Sequence, residues 1–134
     1  MVWSAEYETG NDLVDKDHKQ IFELVKNVLD GAYLNRKEKV DMAIGFLAEY
    51  TLRHFANEER LMKESSYPGM DEHKRQHSDF AESVILLQKK VKDEGDSMDL
   101  SIEINRAVVD WLVKHVLGSD KRFTTHYKNW LKKK

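Results

Sequence analysis

One stretch limits the fold more than any other. Val40, Ala43, Leu47, Tyr50, His54, Glu58 and Leu61 recur at steps of three and four residues, the spacing of one face of an α-helix. Such a face turns toward a core, so His54 and Glu58 stand where leucines are expected. An ionised carboxylate taken out of water is costly unless it is paired or coordinates a metal. This helix therefore asks for a cation, and for further ligands from the rest of the chain.

Three other stretches carry the same period. Residues 12–34 present Val14, His18, Ile21, Val25, Val28 and Ala32; residues 70–92 present Met70, His73, His77, Phe80, Val84, Leu87 and Val91; residues 98–117 present Ile104, Val108, Leu112 and His115. In the first of these the steps alternate between four and three, a repeat that suits helices crossing at about +20°. Asn35 with Glu38 resembles a capping box that starts the second helix, and Pro68-Gly69 stops it. Asp93 to Ser97 reads as a turn. Gly118 is expected to interrupt the fourth helix, with Ser119 capping a short last one that runs through Trp130. With one proline and no sustained β-branched alternation, the fold class is all-α: an antiparallel up-down-up-down four-helix bundle, each helix roughly 20 residues and about 30 Å long. A single domain is expected over 1–134, with an N-terminal arm at 1–11 containing Trp3 and Tyr7, the bundle at 12–117 and a short C-terminal helix at 118–134.

Composition narrows the chemistry. The chain has no cysteine, which removes disulfides, thiolate zinc sites, iron–sulfur clusters and covalent haem attachment; a metal here is held by nitrogen and oxygen. A net charge of −2 offers no positive field for nucleic acid or anionic lipid. No h-region or apolar run long enough for a membrane span occurs, so the expected location is cytoplasmic. EF-hand, zincin, phosphate-loop and nucleophile-elbow patterns are absent.

Five of the six histidines, His18, His54, His73, His77 and His115, fall on the four predicted inner faces. Buried imidazoles each need partners for both ring nitrogens, and cores of this kind offer few. A shared metal centre satisfies them together, neutral imidazole being the commonest metal ligand. His73 and His77 stand at i, i+4, as do His54 and Glu58, so each pair projects from one face. His115 and Asp120 are five apart, about 140° on a continuous helix; a break at Gly118 is expected to swing Asp120 inward. His126 lies outside the faces and is read as an ordinary polar residue.

The set His18, His54-x-x-x-Glu58, His73-x-x-x-His77 and His115-x-x-x-x-Asp120 resembles the hemerythrin family in its single-domain bacterial form. The flanks agree: Trp3 and Tyr7-Glu-Thr-Gly10, Asp17-His18-Lys19, His54-Phe-Ala-Asn-Glu58-Glu59, Tyr67-Pro68-Gly69, Trp111-Leu112 and Asp120-Lys-Arg-Phe123. Asn11-Asp12 departs from the apolar residue usual after the Thr-Gly. The resemblance implies two iron ions in a non-haem centre bridged by Glu58, Asp120 and an oxo or hydroxo group, with His73, His77 and His115 on one iron and His18 and His54 on the other. Three histidines and three bridging oxygens fill six positions, whereas two histidines leave a vacancy, where the resemblance places dioxygen.

The function expected on this basis is reversible dioxygen binding for carriage, storage or delivery, by a monomer that is not an enzyme and has no nucleic-acid partner. Ile21, Phe22, Phe80 and Trp111 fall one turn from the ligands by helix phase and would keep water out. The alternatives are oxygen or redox sensing, a di-iron oxidase or peroxidase, and iron handling. A histidine phosphotransfer bundle needs one exposed histidine, against which five inward ones argue.

Overall fold

The structure, a computed structural model, describes residues 3–33, 37–94 and 100–134. After a single 3-10 turn at Ala5–Tyr7 come α1 (Asp12–Tyr33), α2 (Lys37–Glu64) and α3 (Met70–Glu94). A fourth rod is assembled from α4 (Leu100–Ile104), a π turn (Asn105–Val109), α5 (Asp110–His115), a second π turn (Val116–Asp120) and α6 (Lys121–Lys133). There are no strands among the described residues. Packing runs α1 on α2, α2 on α3 and α3 on the fourth rod, which closes back on α1. That ring is the expected four-helix bundle, with α6 as its C-terminal helix. No helix among the described residues is long and apolar enough to cross a membrane.

The four inner faces build one core. Val14, Ile21, Val25 and Val28 of α1, Phe80, Val84, Leu87 and Val91 of α3, and Ile104, Val108 and Leu112 of the fourth rod are all buried. On α2 the buried line is Val40, Ile44, Leu47 and Thr51, with Ala43 and Tyr50 only half-buried beside it. The two lines share Val40, Leu47 and His54, and between them the inward positions are Ile44 and Thr51, one residue past the expected Ala43 and Tyr50.

Local chemistry sets the helix ends. Asn11, the departure in the motif, caps α1: its side-chain oxygen accepts from the Val14 amide at 3.1 Å, the bond an N-cap residue makes with N3. Asp15 ties the arm to that turn by accepting from Thr9 N (2.9 Å), Thr9 Oγ1 (2.6 Å) and Gly10 N (3.2 Å), while Gly10 takes φ +84°. At the other end of α2, Ser66 is left-handed at φ +53°, Tyr67 N donates to Met62 O at 2.9 Å and Ser66 N to Lys63 O at 3.3 Å. This is a Schellman stop. Gly69 leaves room for the Tyr67 ring, which a Cβ there would meet at 2.9 Å.

Two boundaries differ from expectation. α3 continues through Asp93 and Glu94, where a turn was expected. The chain also does not break at Gly118: the π turn of Val116–Asp120 carries α5 into α6 with helical backbone throughout, Gly118 has no positive φ, and a Cβ on it would meet nothing. Ser119 caps no helix; its hydroxyl donates to Gln76 Oε1. Asn35 of the expected Asn35–Glu38 capping box lies outside the described residues, while Glu38 stands in the first turn of α2.

Candidate metal centre

The π turn explains how Asp120 reaches the core. Five residues of α-helix would leave it about 140° from His115, but a π turn, with its i→i+5 bonding, holds an extra residue. Asp120 therefore returns over His115, with Nε2 of His115 3.0 Å from its Oδ1. The predicted inward position is correct, and its cause is a widened turn instead of a broken one.

All seven predicted residues meet in one buried pocket, each at most 5% exposed. Glu58 presents Oε1 to His77 Nε2 (3.1 Å) and His73 Nε2 (3.4 Å), and Oε2 to His54 Nε2 (3.6 Å). Asp120 presents Oδ1 to His73 (2.9 Å) and His115, and Oδ2 to His18 Nε2 (2.9 Å). The donor atoms form two groups, one of Glu58, His73, His77, His115 and Asp120 and one of His18, His54, Glu58 and Asp120. Each carboxylate belongs to both.

These approaches are close but are not hydrogen bonds. Nε2 of all five histidines, both oxygens of Glu58 and Oδ1 of Asp120 are buried without a hydrogen-bond partner. Buried polar atoms are satisfied in nearly all native structures, so a convergent cluster of orphans calls for a bound group. A nitrogen and oxygen donor set with lone pairs facing inward fits metal ions.

Electrostatics agree. Burial, and then the facing Asp120 carboxylate, push Glu58 well above the usual carboxylate range. Burial would raise Asp120 as well, but the imidazoles of His115, His18 and His73 hold it well below its ordinary value. Two carboxylates buried in one pocket oppose each other's ionisation, and cations between them relieve that opposition. Burial, with His115 and His73 alongside, lowers His77 to about 2; His115 is lowered too, chiefly by burial. Both rings are neutral at physiological pH, the state a metal ligand requires.

Three further residues were quoted in the motifs or passed over without a role. His54 Nδ1 is bonded to Asp17 Oδ2, His77 Nδ1 to Glu59 Oε2 and His115 Nδ1 to Gln76 Oε1, each at 2.9 Å. Burial acts to raise Asp17, but the His54 bond, with help from Asn57 and Tyr50, lowers it. An ionised carboxylate only accepts, so His54 and His77 carry their proton on Nδ1 and leave Nε2 free for a metal. The sequence signal was adjacency: Asp17 precedes His18 and Glu59 follows Glu58.

Aromatic rings wall the pocket. Phe55 stacks on His77 with centroids 3.8 Å apart and planes 5° apart, and Trp111 on His115 at 4.3 Å and 15°. Phe80 stacks on Trp111 in turn. The arm closes the His18 side: Trp3 lies against Phe22 (5.3 Å), Tyr7 (5.8 Å) and His18 (6.4 Å). His126 bonds Ser65 O at 2.9 Å, away from the pocket.

Comparison with known proteins agrees with this geometry. Residues 9–126 match the model of the hemerythrin HHE cation binding domain. A bacteriohemerythrin of Stenotrophomonas maltophilia is 30% identical over 96% of this chain and 82% of its own length, and a myohemerythrin of Theromyzon tessulatum is 28% identical over 90% and 88%. A solved crystal structure of a point mutant superposes with a TM-score of 0.85 at 28% identity, covering 95% of this chain and 96% of that one. With a family match spanning the bundle and the seven donors gathered inside it, the chain belongs to the hemerythrin family.

Proposed function

We propose that this chain binds dioxygen reversibly at a non-haem di-iron centre held by His18, His54, Glu58, His73, His77, His115 and Asp120. The observation that carries the reading is the set of buried donor atoms converging without hydrogen-bond partners in two groups that share both carboxylates. Glu58 and Asp120 are suited to bridge, because each turns one oxygen to either group. When bound, the iron pair supplies the coordination and the electrons by which dioxygen is held. The chain supplies the rest. Five imidazoles and only two carboxylates make a donor set with little anionic charge. Asp17, Glu59 and Gln76 aim three of the rings through Nδ1. Phe55, Phe80, Trp111 and Phe22 keep water and its protons out.

Binding without turnover is favoured by what surrounds the pocket. Among the described residues, the buried ionisable side chains are the seven themselves and Asp17, and Asp17 is engaged with His54. None is left over as an acid or base for a bound substrate. The test is metal analysis with optical spectra of the anaerobically reduced protein, before dioxygen, after it and after its removal. Two irons per chain and a visible band that appears and vanishes with dioxygen are expected. A band that decays irreversibly would move the assignment to an oxidase or sensor, and failure to take up iron would overturn it.

A further inference from the structure

His115 differs from the other held rings in what holds it. Asp17 and Glu59 are carboxylates, but Gln76 is a neutral amide with an acceptor at one end and a donor at the other. Turned over, it would present its NH2 to His115 Nδ1, which would then have to accept, moving the ring proton to Nε2, the atom that faces Asp120. An amide here is an ambiguous clamp unless something fixes its direction. Gln76 is half-buried and borders an open pocket of about 210 Å³, so packing does not close every way round.

The π turn supplies the missing constraint. Ser119, 7% exposed, places Oγ 2.6 Å from Gln76 Oε1. A hydroxyl both donates and accepts, so by itself it would satisfy either end of the amide. Arg122 narrows the choice: its guanidinium NH2 lies 3.2 Å from Ser119 Oγ and can only donate, so the Ser119 proton cannot go to it and Gln76 Oε1 is the acceptor at hand. Arg122 donates to Ser119, Ser119 spends its proton on Gln76 Oε1, and that oxygen then faces His115 as an acceptor. We propose that Ser119, oriented by Arg122, is a positioning residue that locks Gln76 and thereby holds His115 as the Nδ1–H tautomer with Nε2 free for metal. The proposal rests on the metal-centre reading above. It also gives the second π turn two products, since Ser119 and Asp120 are consecutive residues of it.

The test uses iron-loaded full-length protein and measures the rate of iron release to an excess of chelator. Ser119→Ala should speed release by about 10-fold, the low end of the effect of losing a ligand's own partner because Gln76 itself remains, while Ser119→Thr, which keeps the hydroxyl, stays near the parent. The decisive comparison is in a Gln76→Glu background. An ionised carboxylate accepts in either orientation, so there the Ser119→Ala change should leave the rate unaltered. Wild-type release from Ser119→Ala, or equal acceleration in the Gln76→Glu background, would overturn the proposal, the latter by showing a packing role. Nitrogen-15 NMR of the iron-free full chain reads the His115 tautomer directly: Nδ1–H in the parent and a shift toward Nε2–H in Ser119→Ala. A parent chain that takes up no iron would sink the proposed function, and this NMR comparison would then decide the positioning role alone, an unchanged tautomer overturning it.

Discussion

Acid should weaken the metal-free bundle through His77, and the size of the effect follows from its burial. In the unfolded chain His77 titrates near 6.5; in the folded chain burial and two neighbouring imidazoles lower it to about 2. Between those values the unfolded state binds a proton that the folded state refuses. The stability this ring leaves intact above pH 6.5 is therefore lost progressively as pH falls, at about 1.4 kcal/mol per unit. At pH 5 the loss is about 2 kcal/mol, a large part of a typical margin of roughly 5–15 kcal/mol. Glu58 acts with the opposite sign: its raised value means the folded chain takes up a proton first as pH falls, which offsets part of the loss. Comparing the metal-free parent with His77→Gln removes the His77 contribution, while Glu58, raised chiefly by burial and Asp120, keeps most of its own in both proteins. From pH 7.5 to 5 the parent should lose about 2 kcal/mol more than the variant, or roughly 1 M in urea midpoint for a slope near 2 kcal/mol/M. Parallel pH profiles for the two proteins would refute the reasoning.

Three other substitutions probe separate parts of the design. Gly118→Ala should leave iron content unchanged and raise stability by about 0.5–1 kcal/mol, the helix-interior cost of glycine, measured by urea unfolding; loss of iron would restore the broken-helix reading. Phe55→Ala removes a buried ring stacked on His77 and should cost about 3–5 kcal/mol, lowering the melting temperature by roughly 10–20 °C for a domain of this size; a drop of only a few degrees would show that the pocket wall repacks. Asp17→Asn replaces an obligate acceptor for His54 Nδ1 and should weaken metal on the His18/His54 side by about 10- to 100-fold, seen as iron stoichiometry falling toward one per chain on chelation, whereas simultaneous loss of both irons would contradict the two-group division.

Most of the architecture could be read from residue order alone, because helix phase is a local property. Once apolar residues recur in threes and fours, the inward face is set, and a histidine on that face is inward whatever the neighbouring helices do. This is why His18, His54, Glu58, His73, His77 and His115 were all placed correctly, and why Tyr50, one residue off the true inward line of α2, was a small error. Asp120 was placed by its motif and given the wrong mechanism: an i, i+5 spacing fits a broken helix and a π turn equally, and the choice depends on how α5 and α6 pack on the other rods. Which ring each Nδ1 partner holds was illegible for a related reason. Asp17 reaches His54 and Gln76 reaches His115 across helix interfaces, 37 and 39 residues apart in sequence, and no local period encodes which polar residue on one helix meets which ring on another. Local periodicity chose which side chains face inward, and the packing of the four rods chose what aims them.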